Sequence, residues 1–294
     1  MMTSRRRCRQ TSMRCSGEGK LEVGIKKYKT AETMNERWVE IGSALPENLD
    51  SLPRLNGFRL RGIEMTRLET FIDAAFAFAI SMLVIAAQQI PDNIVALLAA
   101  FRNVPTFICS IAVLGIFWRG HWLWSRRYGL EDNVSILISW AMIATVLILM
   151  YPLKAIFGAM WYLISSGQVG QRLSLHTTES QGRTIFAIYA LGLVAISTEI
   201  LLLNLRAWQL RDPLRLNALE RLMTRGELTG WSVPIGVGIV ALIFALTLPT
   251  DQIQWSGWVY FSMIILVPLH DFFHNRELKA VQDGSHDGGP GQRK

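Results

Sequence analysis

Three cysteines and five histidines are all that the 294 residues offer of the two side chains that most often hold transition metals. Cys8, Cys15 and Cys109 are too few and too scattered for a disulfide framework, so reduced thiols are expected. His270 and His274, in the run HDFFH, are four apart and share a helix face, the spacing at which two imidazoles can ligate one ion. His121, His176 and His286 supply no second box, which excludes a multi-histidine di-iron centre. The HDFFH run reads better as the interfacial end of a helix, with no metal and no cofactor. A phosphate-cradling glycine loop and a nucleophile–base pair are both missing, so no enzyme is expected. A cleavable signal peptide is not visible either, because MMTSRRRCRQ leads into about sixty polar residues rather than an apolar run.

Charge is sparse as well, at 18% of residues, with a net charge of +7. That excess could suggest nucleic acid, but its distribution argues against such a partner. Basic residues gather before residue 67, around Arg119, Arg126 and Arg127, between Arg206 and Arg225, and in the C-terminal tail. The intervening loops hold only Arg102, Arg172 and Arg183. This asymmetry follows the positive-inside rule and places both termini in the cytoplasm of a multi-pass protein of the cell membrane.

What the chain has in abundance is apolar sequence: half of its residues are hydrophobic and its mean hydropathy is +0.26. The apolar residues cluster into six spans, roughly 68–90, 104–124, 134–157, 184–205, 232–249 and 255–273. Within the first, Phe71–Ile90 is a run of 20 residues, enough to cross a hydrocarbon core about 30 Å thick. The fold expected is all-α, a polytopic membrane protein with six transmembrane helices in a single repeat. Pro234, Pro249 and Pro268 blur the ends of the last two spans, and 206–230 reads as a separate cytoplasmic helix. Trp161, Tyr162, Trp255 and Trp258 form one aromatic belt, and Trp122, Trp124, Trp208 and Trp231 the other. Three regions follow. Residues 1–62 are a polar, flexible cytoplasmic arm with a short helix near 31–42, 63–275 the membrane domain, and 276–294 a disordered cytoplasmic tail.

Span 1, FIDAAFAFAISMLVIAAQQI, holds a single ionisable side chain, Asp73. An unpaired carboxylate near mid-membrane costs on the order of 2.5–3.5 kcal/mol even on lenient insertion scales, so Asp73 must face protein, water or an ion path. At 1.5 Å of rise per residue, Asp73, Trp118, His121 and Glu199 fall at similar depth in the inner third, with Arg67 at the edge. A buried network of these five groups is expected, and two readings stay open. It staples helices together, or it positions span 1 around a conduction path. Phe78, Ser81 or Met82, and Ile85 form an apolar stripe on the same helix, about 140° from Asp73 at 100° per residue. Such a stripe is ordinary packing unless it faces a pore.

The run RLETFIDAAFAFAISMLVI resembles the opening helix of the transmembrane protein 175 family of potassium channels. Their hallmark is an arginine, three intervening residues, then Phe-Ser-Asp, followed by an aliphatic helix. Arg67, Phe71 and Asp73 match it, while Ile72 stands in the serine place. LGIFWRGHWLWSRR, with Trp118 and His121, is similar to the family's second helix, although Trp122 stands where a second histidine is common. Tyr151–Pro152 is a weaker echo in span 3. The resemblance covers about 65–160 and implies a homotetramer, potassium ions and the lipid bilayer as partners, and four first helices around a central pore. Phe78 would take the gate position, followed by Ser81 as a hydroxyl layer and by Met82 and Ile85 as apolar constrictions. Selectivity would come without a carbonyl filter, since no TVGYG-like loop exists. The alternative is a non-conducting relative, a proton leak or a solute transporter of the same fold.

Overall fold

The computed structural model describes residues 49–85, 92–170, 180–249 and 252–286. Cys8, Cys15, His176, the expected helix near 31–42 and the end of the tail lie outside the described residues, as does the last stretch of span 1. Among the described residues, six helices are long and apolar enough to cross a membrane. Span 1 is Arg67–Ile85, span 2 Val104–Tyr128, span 3 Asn133–Ile164, span 4 Ser180–Gln209 and span 5 Ala218–Thr247. Span 6 is a continuous helical run made of Trp255–Trp258, a 3-10 stretch at Val259–Ser262, and Met263–His286. A short helix, Ile94–Phe101, precedes span 2 and is capped by the Asn93 side chain, which accepts from the Ala96 amide at 2.8 Å. The chain is a six-helix, all-α membrane protein.

Several helices outrun the hydropathy boundaries. Span 5 has 30 residues, about 45 Å at 1.5 Å per residue, well beyond a core about 30 Å thick. The stretch 206–230, expected as a separate cytoplasmic helix, is instead the end of span 4, a connection over 210–217 and the first three turns of span 5. Span 5 begins at a capping box, in which the Asn217 side chain accepts from the Glu220 amide at 2.8 Å and Glu220 accepts from the Asn217 amide at 3.0 Å. Pro234 and Pro268 sit inside their helices rather than ending them. In a bundle, packing against neighbouring helices lets a proline be carried at the loss of one backbone hydrogen bond. The helix of span 6 also runs past residue 275, into the expected tail. Arg276 lies over the Phe272 ring, one turn back, and Leu278 packs against the core.

Spans 4 and 5 form an extensive antiparallel pair, span 4 packs on span 3, and span 1 lies across spans 2 and 3. The main core sits between them, built from Ile72, Phe76, Leu114, Met142, Leu149 and Ile196 among others. A second cluster around Phe58, Trp124, Tyr128 and Leu214 closes the charged end of the bundle.

The flexible arm expected up to residue 62 needs correction at its end. Arg54–Leu55 and Phe58–Arg59 pair as a two-stranded antiparallel hairpin. Its turn is Asn56-Gly57, with φ of 52° and 86°, the left-handed pair that a two-residue hairpin turn requires. Phe58 is fully buried, edge-on to Tyr128 at 5.5 Å. Glu220, fully buried itself, accepts from Arg59 Nε at 2.9 Å, from Arg59 Nη2 at 2.9 Å and from Arg61 Nη2 at 2.9 Å. That hydrogen bonding holds the Arg59 guanidinium above its ordinary value against its burial, with the charges of Glu220 and Asp50 adding to it. Beyond it, Gly62 passes so close to the end of span 2 that a Cβ there would stand 2.4 Å from the Ser125 carbonyl oxygen. Only glycine fits.

Removing Glu220 would leave the buried Arg61 guanidinium without its carboxylate, Arg59 with only Asp50 at 3.9 Å, and span 5 without half of its capping box. Breaking a buried pair in this way costs about 3–5 kcal/mol. Glu220→Ala should lower the melting temperature and expose the 54–59 hairpin to limited proteolysis. An unchanged melting curve and digestion pattern would show that the clasp carries no stability.

Candidate functional site

Span 1 is a helix with two opposed stripes. Glu69, Ile72, Phe76, Ala79 and Leu83 recur at i, i+3 and i+7 and are all buried against the bundle. Opposite them, Phe71, Phe78 and Ile85 are 46%, 53% and 65% exposed, with Ala74 and Ser81 exposed between them. Phe76 and Phe78 are thus sorted by two residues of helical twist, one 2% exposed and the other free. Ser81 hydrogen-bonds back to the Ala77 carbonyl at 3.0 Å, which satisfies its hydroxyl within the helix. Met82 lies on the flank of the free stripe and packs partly against the core. Ile72, in the serine place of the family motif, is fully buried, so an aliphatic core contact replaces a hydroxyl there.

The start of span 1 is clamped from two sides. Thr66 accepts from the Glu69 amide at 3.1 Å, an N-terminal cap. Glu69 is 2% exposed and paired with Arg126 of span 2 at 3.1 Å. The same arginine donates to the carbonyls of Gly62 at 3.1 Å and Ile63 at 3.0 Å. Sequence reading passed over this pair, although Glu69 falls on the same helical stripe as Ile72 and Phe76. Trp140 of span 3 was missed as well; its ring lies 5.2 Å from that of Phe71.

The five groups expected as one network are brought together only in part. Asp73 accepts from Trp118 Nε1 of span 2 at 2.8 Å, and Trp118 stacks on Trp122 with ring centroids 6.5 Å apart. His121 is buried, bonds Ser139 of span 3 at 3.1 Å and lies 5.6 Å from the Trp124 ring. Glu199 of span 4 accepts from Thr145 of span 3 at 2.7 Å. Arg67 is exposed at the helix start and joins none of these pairs. Similar depth along the helices does not imply contact, because each side chain takes the nearest partner on the adjoining face. The hydroxyls of Ser139 and Thr145, missed in the sequence, supply two of the three links.

On span 6, His270 meets the Thr229 hydroxyl at 2.8 Å and Asp271 at 3.2 Å, and stacks on His274 with ring centroids 6.0 Å apart. The histidine pair is spent on helix contacts, and no cluster of three potential metal ligands occurs among the described residues.

Comparison with known proteins places this geometry. The family described as endosomal/lysosomal potassium channel TMEM175 matches residues 67–155, the stretch from the start of span 1 into span 3. A protein of Marivirga tractuosa named "Potassium channel" is 28% identical over 237 residues, 77% of this chain and 94% of its own length. A crystal structure of a variant of the potassium channel MtTMEM175, in complex with a nanobody–MBP fusion protein, superimposes with a TM-score of 0.66 at 28% identity. It covers 78% of this chain and 100% of that one. The likeness therefore extends well past the first three spans, and the resemblance drawn from Arg67, Phe71 and Asp73 is met at the level of sequence and fold.

The Asp73–Trp118 bond makes a graded prediction. Asp73→Ala leaves the indole N–H without its acceptor, a loss of about 1–3 kcal/mol when the donor is kept from water. Asp73→Asn keeps an acceptor oxygen at the same reach. Thermal unfolding in detergent should show the larger loss for alanine, and equal losses would dismiss the bond as incidental.

Proposed function

We propose that this chain, a relative of the TMEM175 potassium channels, is one subunit of a homotetrameric, potassium-permeable cation channel of the cell membrane. The observation that carries this reading is the free stripe of span 1. A helix tied to its own bundle by Ile72, Phe76, Ala79 and Leu83 presents Phe78, Ser81 and Ile85 on its opposite face. Four copies set about an axis would bring those residues together, with Met82 at their flank. The potassium channels to which the chain is similar supply the ion.

Phe78 is the proposed narrowest level. Four phenyl rings would exclude water more completely than smaller aliphatic side chains, so the resting pore would be closed by narrowing and dewetting. Ser81 would offer a hydroxyl layer one turn on, and Ile85 a second apolar ring. Asp73, through Trp118, would then hold span 1 from behind, with His121 and Glu199 tying together the spans it leans on and Arg67 and Phe71 on its open side. Ions would flow passively down their gradient.

Arg126 and Arg127 at the end of span 2 and the arginines between spans 4 and 5 support, by the positive-inside rule, a cytoplasmic Arg59–Glu220 end with both termini on that side. Reporter fusions after Ser166 and Asp283 should read external and cytoplasmic. The reverse pattern would overturn this orientation.

Flux measurement in liposomes tests the pore assignment. Phe78→Ala should open a leak for monovalent cations above a low wild-type level. Phe76→Ala instead empties a buried site, costing about 3–5 kcal/mol of stability, and should leave flux per folded tetramer unchanged. A leak from Phe76→Ala alone would mean that the pore face is misassigned. No cation flux from folded, tetrameric wild type or Phe78→Ala would favour a non-conducting relative, and flux of protons alone a proton leak.

A further inference from the structure

Span 6 is the least enclosed helix of the six. Only 6% of its apolar window is buried within the chain, against 28–33% for the others. It leans on span 5, and between it and spans 2, 3, 4 and 5 lies a cavity of about 1320 Å³. That exceeds the roughly 300–1,000 Å³ of pockets built for drug-sized ligands. Its walls are apolar for most of their length, with Val113 and Ile116 on span 2, Met160 on span 3 and Val267 on span 6. At the charged end the lining turns polar, with Arg127 and Lys279 facing the carboxylates of Glu227 and Asp271, beside His270, His274 and Asn275.

Arg127 is the informative residue there. Its side chain is 7% exposed, its Nη1 donates to Glu227 at 2.7 Å, and its guanidinium lies 5.1 Å from the Phe58 ring centre. Its Nε is buried with no acceptor. A guanidinium N–H kept from water calls for a further acceptor oxygen beside that of Glu227, and Lys279 offers a second donor at the same mouth. The shape asks for long aliphatic chains, and the mouth for a phosphate ester.

We infer that the groove is a specific site for one phospholipid of the adjoining leaflet, its acyl chains along spans 2 and 6 and its phosphodiester on Arg127 and Lys279. A second copy of the chain is the poorer occupant. Span 1, which carries the free stripe, packs on spans 2 and 3, whereas span 6 leans on span 5. The site does not depend on ion conduction.

Native mass spectrometry of the purified assembly tests this. Delipidated protein is titrated with phosphatidylglycerol, phosphatidylcholine or diacylglycerol, which lacks the phosphodiester. Both phospholipids should be retained at one per chain, and diacylglycerol should not. Ile116→Trp and Val267→Trp, which fill the groove from opposite walls, should weaken retention by about tenfold or more. Arg127→Lys keeps a charge for Glu227 but removes the Nε donor, and should weaken it similarly. Melting temperature and oligomer mass report which variants remain folded. Unchanged retention in folded groove-filling variants would place the lipid elsewhere and overturn the proposal. Retention of diacylglycerol equal to that of the phospholipids would overturn the headgroup assignment, and no retention by wild type would overturn the site altogether.

Discussion

The surrounding hydrocarbon offers polar side chains no partner, and that constraint sets how the helices of this protein are turned. An unsatisfied polar group in lipid is costly, and many of those within the spans reach across to a neighbour or back to their own backbone, while the Thr106, Ser197 and Tyr260 hydroxyls find no partner. Asp73 faces the Trp118 indole, His121 meets Ser139, and Glu199 meets Thr145, each bond joining two spans. Ser81, Ser110 and Thr247 instead bond a carbonyl one turn back. Once Asp73 is turned toward span 2, the rotation of span 1 is decided. Ile72 and Phe76 enter the core, and Phe78 and Ile85 are left on the open face.

The same principle organises the charged end, where the charges are too numerous to be left unpaired. Glu220 completes a helix cap and receives two arginines, so a single carboxylate joins the hairpin, the loop before span 5 and span 5 itself. Such a buried cluster is weak grounds for claiming extra stability, because desolvation offsets much of the attraction. Its evident consequence is geometric. The chain from Arg59 to Ile63 is held against spans 2 and 5 and delivers Thr66 and Glu69 to the start of span 1 in one orientation. A helix proposed to line a pore is thereby fixed at the charged end and along its back, while its front stays free.

Not every feature that mattered was hidden in the tertiary contacts. Asn56-Gly57 flanked by Leu55 and Phe58 is a local signal for a tight hairpin, legible in the sequence but passed over inside an arm judged by its polarity. The opposing faces of span 1 were legible too, since a period of 3.6 residues separates Phe76 from Phe78 without any partner being known. The extent of spans 5 and 6 was not. Apolar windows report the stretch inside hydrocarbon, whereas a helix continues into the headgroup region for as long as caps and neighbours satisfy its backbone.

Local chemistry alone thus determined that the chain has six apolar helices, which end of the bundle is basic, and that span 1 carries one carboxylate and two distinct faces. These follow from composition and periodicity, properties of each segment by itself. Only the tertiary structure decided that Asp73, His121 and Glu199 take three separate partners, that Arg126 and not Arg67 answers Glu69, and that span 6 stands apart from the bundle around an open groove. Those outcomes depend on the rotation and tilt of one helix against another. Rotation is set by the sum of many packing contacts between residues far apart in the chain, and no single segment contains that sum.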